Sequence, residues 1–403
     1  MSRPTLLYAS PFPPEKSGIA DYSEALVNGL AQTFDLTLVS QHPAPVLRSA
    51  GGTLKARVIP PGEAQPQAFD HVLYNFGNNP YFHAFIYDLF LHHPGPVILH
   101  DVVLYFLTVG YYQESESLFS KIYELAGPAG VRAIKEQLKA GQDLLRFGNP
   151  SRLPLNGEIL ALAPRIIVHS EFARASVLKQ RPQAEVFTLP MVDPYSVFPP
   201  SGDHRGLLRQ RFGVPDGAPV VASFGIIAPT KQNHLILKAV ESLSRSGGPD
   251  PYSVMVGEGD YVDGMLGKRI IKTGHLDAGE YAGVLDRCDL VAALRHPSMG
   301  ETSLGLIQAL SRGKPCLVTG EAWFGELPDD IVVKVPAQIT ESALAHTIRT
   351  LLEDTGRQCT LGGRAGAWAR EHHDIQVVST RLAALLLRRK EPATGARGRG
   401  PAP

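Results

Sequence analysis

Cysteine is scarce in this chain. There are three in 403 residues, Cys288, Cys316 and Cys359, odd in number and far apart. That spacing supports neither a disulfide framework nor a zinc site and predicts free thiols in a reducing compartment. Net charge is also missing: 39 Lys and Arg balance 39 Asp and Glu. Nothing here attracts nucleic acid, which is excluded as the main partner. No apolar run approaches the ~20 residues that span a bilayer, and the run after MSRP is too short for a signal peptide. A cytoplasmic location follows as the expectation. Peripheral contact with the inner membrane face stays open, because a small local patch suffices for it. Several catalytic signatures are absent too. There is no G-x-G-x-x-G after the first strand, no G-x-x-x-x-G-K-[ST] and no G-x-S-x-G. There is no D-x-D, and the pairs His92-His93 and His372-His373 lack partners at ligand spacing. No metal and no cofactor are expected.

What remains is an ordinary globular composition, 44% hydrophobic and 19% charged. Its length favours two domains. Short apolar runs alternate with segments of helical period. Strands are predicted at Thr5–Ala9, Phe34–Ser40, Val58–Ile59, Asp70–Tyr74, Val97–Leu99, Arg165–His169 and Glu185–Leu189. After a proline-rich linker, Met191–Gly206, they resume at Val220–Phe224, Tyr252–Val256, Ile270–Thr273, Leu290–Leu294, Cys316–Thr319 and Ile331–Val335. Strand–helix alternation predicts an α/β protein of two Rossmann-like, doubly wound parallel-sheet lobes facing a cleft. The first lobe is expected over 1–195, with a helical insertion at about 102–150, and the second over 196–372. A C-terminal helix, 373–390, precedes a disordered tail, 391–403. The insertion carries Leu104, Tyr105, Phe106, Leu107, Tyr111 and Tyr112. These form either the packed face of a helical pair or a lipid- or glycan-facing surface.

The most informative stretch is His296–Pro315, HPSMGETSLGLIQALSRGKP. It follows a buried strand and turns helical from Thr302, so MGETS lies between strand and helix. Open α/β sheets hold ligands there, outside the carboxyl ends of their strands. Unpaired N–H groups and the helix dipole suit such a place to a diphosphate. Thr302 and Ser303 add hydroxyls, and Glu301 is placed for a sugar hydroxyl. A plain helix cap explains GETS equally well. Other strand-end residues that would share one crevice are Gly18, His100-Asp101, Lys231, Gly257 and Gly274-His275. Lys231 brings a cation, or is a solvated lysine at a helix start. His100 donates to a substrate hydroxyl or buffers a proton near neutrality, or is a hydrogen-bonded core histidine. His169 ends a strand before the cap-like Ser170, which points to a structural role.

These residues carry a resemblance that extends from Leu6 to about Leu387. PPEKSGIADYS, His100-Asp101, VHSEFAR, FGIIAPTKQNHLILKAV, MVGEGDY, the long run TGHLDAGEYAGVLDRCDLVAALRHPSMGETSLGLIQALSRGKPCLVT and then WFGELPDD together resemble retaining glycosyltransferases of family 4. The resemblance implies the GT-B fold, with a nucleotide-diphospho-sugar in the C-terminal lobe and a hydroxyl acceptor on the N-terminal one. That acceptor would be a glycan, a lipid-linked species or a small molecule, in bacterial-type polysaccharide or glycoconjugate synthesis. It implies roles as well. Gly18 lets the first loop approach the donor diphosphate or the acceptor, and His100 sits beside the transferred sugar. Lys231 pairs with the diphosphate, and Glu301 binds sugar hydroxyls. The backbone of Thr302, Ser303 and Leu304 cradles phosphate, Gln308 faces the ribose, and Gly274 to Leu276 lie near the base. Two departures stand out. Ile226 occupies the place of an arginine, and the Glu-x7-Glu pattern puts Ala309 where the second acid belongs, with Gln308 one residue early. They motivate an alternative, a non-catalytic protein that binds nucleotide sugar or glycan on the same scaffold. An epimerase or a glycogen-phosphorylase-like enzyme would keep the fold and change the chemistry.

Overall fold

The computed structural model describes residues 3–50, 54–204, 206–245 and 247–388; the tail expected to be disordered lies outside these residues. Thirteen strands form two sheets. The first contains β1 (Thr5–Ala9), β2 (Asp35–Val39), β3 (Ala56–Ile59), β4 (His71–Phe76), β5 (Val97–Leu99), β6 (Ile166–Val168) and β7 (Val186–Thr188), in the order β3-β2-β1-β4-β5-β6-β7. The second contains β8 (Val220–Phe224), β9 (Tyr252–Val256), β10 (Ile270–Gly274), β11 (Leu290–Ala293), β12 (Cys316–Thr319) and β13 (Val333–Val335), in the order β10-β9-β8-β11-β12-β13. Every pairing between these strands is parallel. The central strands are apolar on both faces, as in β8, where all five residues of VVASF are buried. Helices cover both sides of such a sheet. The expected α/β class, with two doubly wound lobes, is the class found.

In each sheet the strand order reverses beside the first strand of that lobe, between β1 and β4 and between β8 and β11. Open α/β sheets hold their ligands at such switch points, outside the strands' carboxyl ends. The loops after β8 and β11 therefore start as neighbours, although about 65 residues of chain separate them.

Three local differences from expectation have physical causes. Helix Pro80–His92 went unpredicted because PYFHAFIYDLFLH is apolar almost all round and shows little amphipathic period. The helical region predicted from Val102 begins at Tyr105; Val102 to Leu104 stay outside the helix, and Val102 and Val103 reach the second lobe. The helical pair packs inward. Leu104, Tyr105 and Leu107 are fully buried. Tyr111 donates its hydroxyl to Asp88 and Tyr112 donates to Glu158. These residues are the packed face of the insertion, not a lipid-facing surface. No helix among the described residues is long and apolar enough to cross a membrane.

The lobes touch at several points. The amides of Val102 and Val103 donate to Met299 O at 2.9 and 3.1 Å. Glu326, from WFGELPDD, accepts the first two amides of helix Glu171–Gln180, at 3.0 and 2.5 Å. At the linker, Asp193 N donates to His373 O at 3.0 Å, and the His373 ring pairs with Met191 O at 2.7 Å. Helix Ile375–Leu387 then returns to the first lobe. Its Ser379 lies so close to Gly29 that a Cβ there would sit 2.5 Å from it. Arg165 donates to Leu385 O at 2.9 Å.

Candidate active site

The residues singled out in the sequence converge where the two switch points face each other. On the second lobe, β8 runs into Gly225 and the turn Pro229–Lys231. Lys231 Nζ donates to Phe224 O at 2.8 Å, across Gly225. Burial drives its pKa well below the usual lysine range, the neighbouring Arg295 lowers it further, and Glu301 partly opposes the shift. The loop is braced from behind by Gly257, whose φ of +145° presses its Cα against Gly225 O, where no side chain fits. Gly225 N donates to Val256 O at 2.8 Å, and Ile227 N donates to Glu258 O at 2.7 Å. Gly274 ends β10 at φ +71°, His275 is exposed and Leu276 is buried.

After β11 the chain forms the MGETS turn. Glu301 is folded back into it. Its Oε2 accepts from Met299 N at 2.6 Å and Ser298 Oγ at 3.0 Å. Its Oε1 lies 2.7 Å from Arg295 Nε, an ion pair without the alignment of a hydrogen bond. The carboxylate expected to be free for a sugar hydroxyl is thus largely engaged within the protein. Ser303 Oγ caps helix Leu304–Ser311 by accepting from Leu306 N at 3.3 Å. The cap explanation therefore holds for Ser303, yet it satisfies only one of the donors in the first turn. Thr302 Oγ1 is buried with no partner. Gln308 is buried on the same helix, 6% exposed.

On the first lobe, Gly18 begins helix Gly18–Leu30, capped by Ser17. A Cβ at Gly18 would lie 3.5 Å from Leu304, so two helix N-termini meet across the cleft. His100 is 6% exposed, and its Nε2 lies 2.8 Å from Asn75 Oδ1. The Asn75 amide nitrogen donates to Ser10 and Ser23, both at 3.0 Å, so its oxygen accepts and His100 carries its proton on Nε2. Burial, with His169 and His83 nearby, holds the ring neutral well below the usual histidine range. His100 is therefore no proton buffer at neutral pH; it presents a fixed tautomer. His169 is also structural on this geometry, donating from Nδ1 to Leu189 O at 2.7 Å beside the Ser170 cap. Asp101 is different. Burial, and Glu301 across the cleft, raise its carboxyl to about 7, against the pull of the Asn78 amide and Arg295.

Sequence reasoning missed Arg295, which stands between a strand and a motif and belongs to no spacing rule. Only its position beside Lys231 and Glu301 marks it. Two open hollows, of about 860 and 250 Å³, lie apart from this cleft against the linker, lined by residues such as Arg48, Phe198, His204 and Gly279.

The two facing, all-parallel α/β lobes are those of the GT-B fold. No family model matches the chain. It is 23% identical over 415 residues to the GDP-mannose-dependent α-(1-6)-phosphatidylinositol monomannoside mannosyltransferase of Mycolicibacterium smegmatis, covering 96% of this chain and 99% of that one. Among solved structures it is similar to Anabaena HepE in complex with UDP-glucose, with a TM-score of 0.64 at 16% identity, covering 95% of this chain and 99% of that one. Sucrose-phosphate synthase from Thermosynechococcus elongatus gives a TM-score of 0.62 at 17% identity, covering 95% and 98%.

Proposed function

We propose that the chain is a retaining glycosyltransferase, moving a sugar from a nucleotide-diphospho-sugar to a hydroxyl acceptor without a metal ion. The observation that carries this is that Lys231 Nζ donates to Phe224 O at the β8/β11 switch point, where Gly305 in the first turn of helix Leu304–Ser311 packs against the same Phe224. As the glycosidic bond breaks, negative charge collects on the departing diphosphate. Fixed N–H dipoles and a cation already aimed at that place stabilise it without reorganising. Burial disfavours the charge on Lys231, and an arriving anion restores it. The Nε2–H tautomer of His100 leaves Nδ1 as an acceptor for a hydroxyl of the transferred sugar. No carboxylate in the cleft stands free as a covalent nucleophile: Glu301 is tied into its turn, and Asp101 accepts from Asn78 N. This favours attack from the face that the leaving phosphate occupies, with that phosphate taking the acceptor's proton. Contact between the lobes excludes water from the reacting bond.

The donor is sought among GDP-, UDP-, ADP- and TDP-sugars by thermal shift in the presence of EDTA. A true donor at 100 times its Kd stabilises the fold by about 2.7 kcal/mol. The same donor is then incubated with n-octyl α-mannoside, and NMR reads the anomeric configuration of the product. A shift followed by a product of retained configuration is the expected result. No shift with any donor overturns the proposal, and binding without turnover favours the non-catalytic alternative.

A further inference from the structure

We infer that Arg295 is a second cation for the donor's diphosphate, acting beside Lys231. The inference rests on the donor-binding role proposed above and adds to it a residue that no motif marks. Arg295 follows β11 by two residues. Its amide donates to Thr319 Oγ1 at 2.9 Å, and the next amide, His296 N, donates to Thr230 O at 2.8 Å. The second bond joins the segment bearing Arg295 to the turn bearing Lys231. The two cations are therefore adjacent because β8 and β11 are adjacent.

The side chain is 11% exposed. A guanidinium carries five N–H donors in a rigid fork. Its Nε lies 2.7 Å from Glu301 Oε1 without the alignment of a hydrogen bond, the Asp101 carboxyl across the cleft also feels its charge, and the side chain makes no hydrogen bond among the described residues. The terminal nitrogens are not among the buried orphaned atoms, so the fork is open to the cleft and free to take an anionic ligand. Lys231 and Arg295 face Glu301 on their own lobe and Asp101 across the cleft, and burial disfavours the charge on Lys231 until an anion arrives to restore it. A diphosphate, with charge on both phosphates, fits a fork and an ammonium better than either alone. The loop also offers a vacant alternative. Ile226 follows Gly225, whose Cα lies against Lys231 Nζ, and it is 69% exposed. A cation introduced there reaches the same place at little cost to packing.

The test is calorimetric titration with inorganic pyrophosphate and with GDP, UDP, ADP and TDP, using each parent nucleoside as control. Arg295→Gln keeps a hydrogen-bond donor for Glu301 and removes the charge. It is expected to weaken pyrophosphate and diphosphate binding ~10- to 100-fold and to leave nucleoside binding unchanged. Adding Ile226→Arg to that variant is expected to recover much of the loss. Glu301→Gln, which relieves Arg295 of its counter-charge, is expected to tighten pyrophosphate binding. If Arg295 serves only to hold the turn, Glu301→Gln and Arg295→Gln lose affinity alike, for nucleoside and diphosphate together, and the inference is overturned. Unchanged diphosphate affinity in Arg295→Gln also overturns it. A wild-type chain that binds none of these ligands removes the donor reading itself, a separate outcome read from the first titration.

Discussion

Asp101 and Glu301 come from opposite lobes, and closure brings the two carboxylates together. Asp101 follows β5 and accepts the Asn78 amide at 3.1 Å. Burial and the facing Glu301 raise its pKa to about 7. The unfolded chain holds that proton only to pH ~3.9, so folding and closure take up a proton between the two values. Stability from this group is thus fully present at low pH and declines as pH rises through about 7. A gap of ~3 units at 1.36 kcal/mol each sets a ceiling of ~4 kcal/mol. Slight opening of the cleft admits water and relieves the repulsion, which brings the expected effect to ~1–2 kcal/mol. Asp101→Asn keeps the shape and an oxygen for the Asn78 amide but cannot acquire charge. Melting curves from pH 3.5 to 8.5 should show the wild type losing ground to Asp101→Asn by ~2–8 °C as pH rises from ~4 towards 7, at 2–4 °C per kcal/mol for a lobe of this size. Parallel curves for the two proteins would show that the carboxylates do not meet in solution and refute the closed arrangement.

Two further substitutions probe the same cleft. Lys231→Ala should reduce transfer by ~10²–10³-fold, the range found when one transition-state donor is lost; a full transfer rate in that variant would remove Lys231 from the reaction. Gly300 stands at φ +82° with its Cα against the side chain of Val102. Gly300→Ala should therefore cost ~1–2 kcal/mol in backbone strain and wedge the lobes apart. Small-angle scattering would read the wedge as a larger radius of gyration, and an unchanged radius would argue against the Met299–Val102 contact in solution.

Much of the architecture was legible before any coordinates. VVASF and YSVMV are apolar on both faces because both faces are covered, and that pattern is local to the chain. The turn chemistry was local too: Ser17, Ser170 and Ser303 cap the helices they precede. Helix Pro80–His92 escaped because a buried helix loses the polar face by which sequence reading finds it. The insertion's aromatic residues could be read two ways, because an apolar stripe looks the same whether protein or lipid covers it. Contacts with Asp88 and Glu158 decided the matter.

The sequence by itself determined which elements form, in what order, and which chemistry stands at the strand ends: a lysine after β8, a histidine and an aspartate after β5, an unsatisfied helix start after MGETS. Periodicity and capping are set by neighbours within a few residues, so they survive in one dimension. Only the tertiary structure decided what those groups do to one another. It turned His100 into a neutral ring fixed by Asn75, engaged Glu301 with its own turn, raised Asp101 by burying it and setting it opposite Glu301, and put an unmarked arginine beside Lys231. Each outcome depends on burial and on charges brought together from chain positions tens to hundreds of residues apart. Electrostatic interaction depends on distance and dielectric surroundings, and neither is a property of sequence spacing.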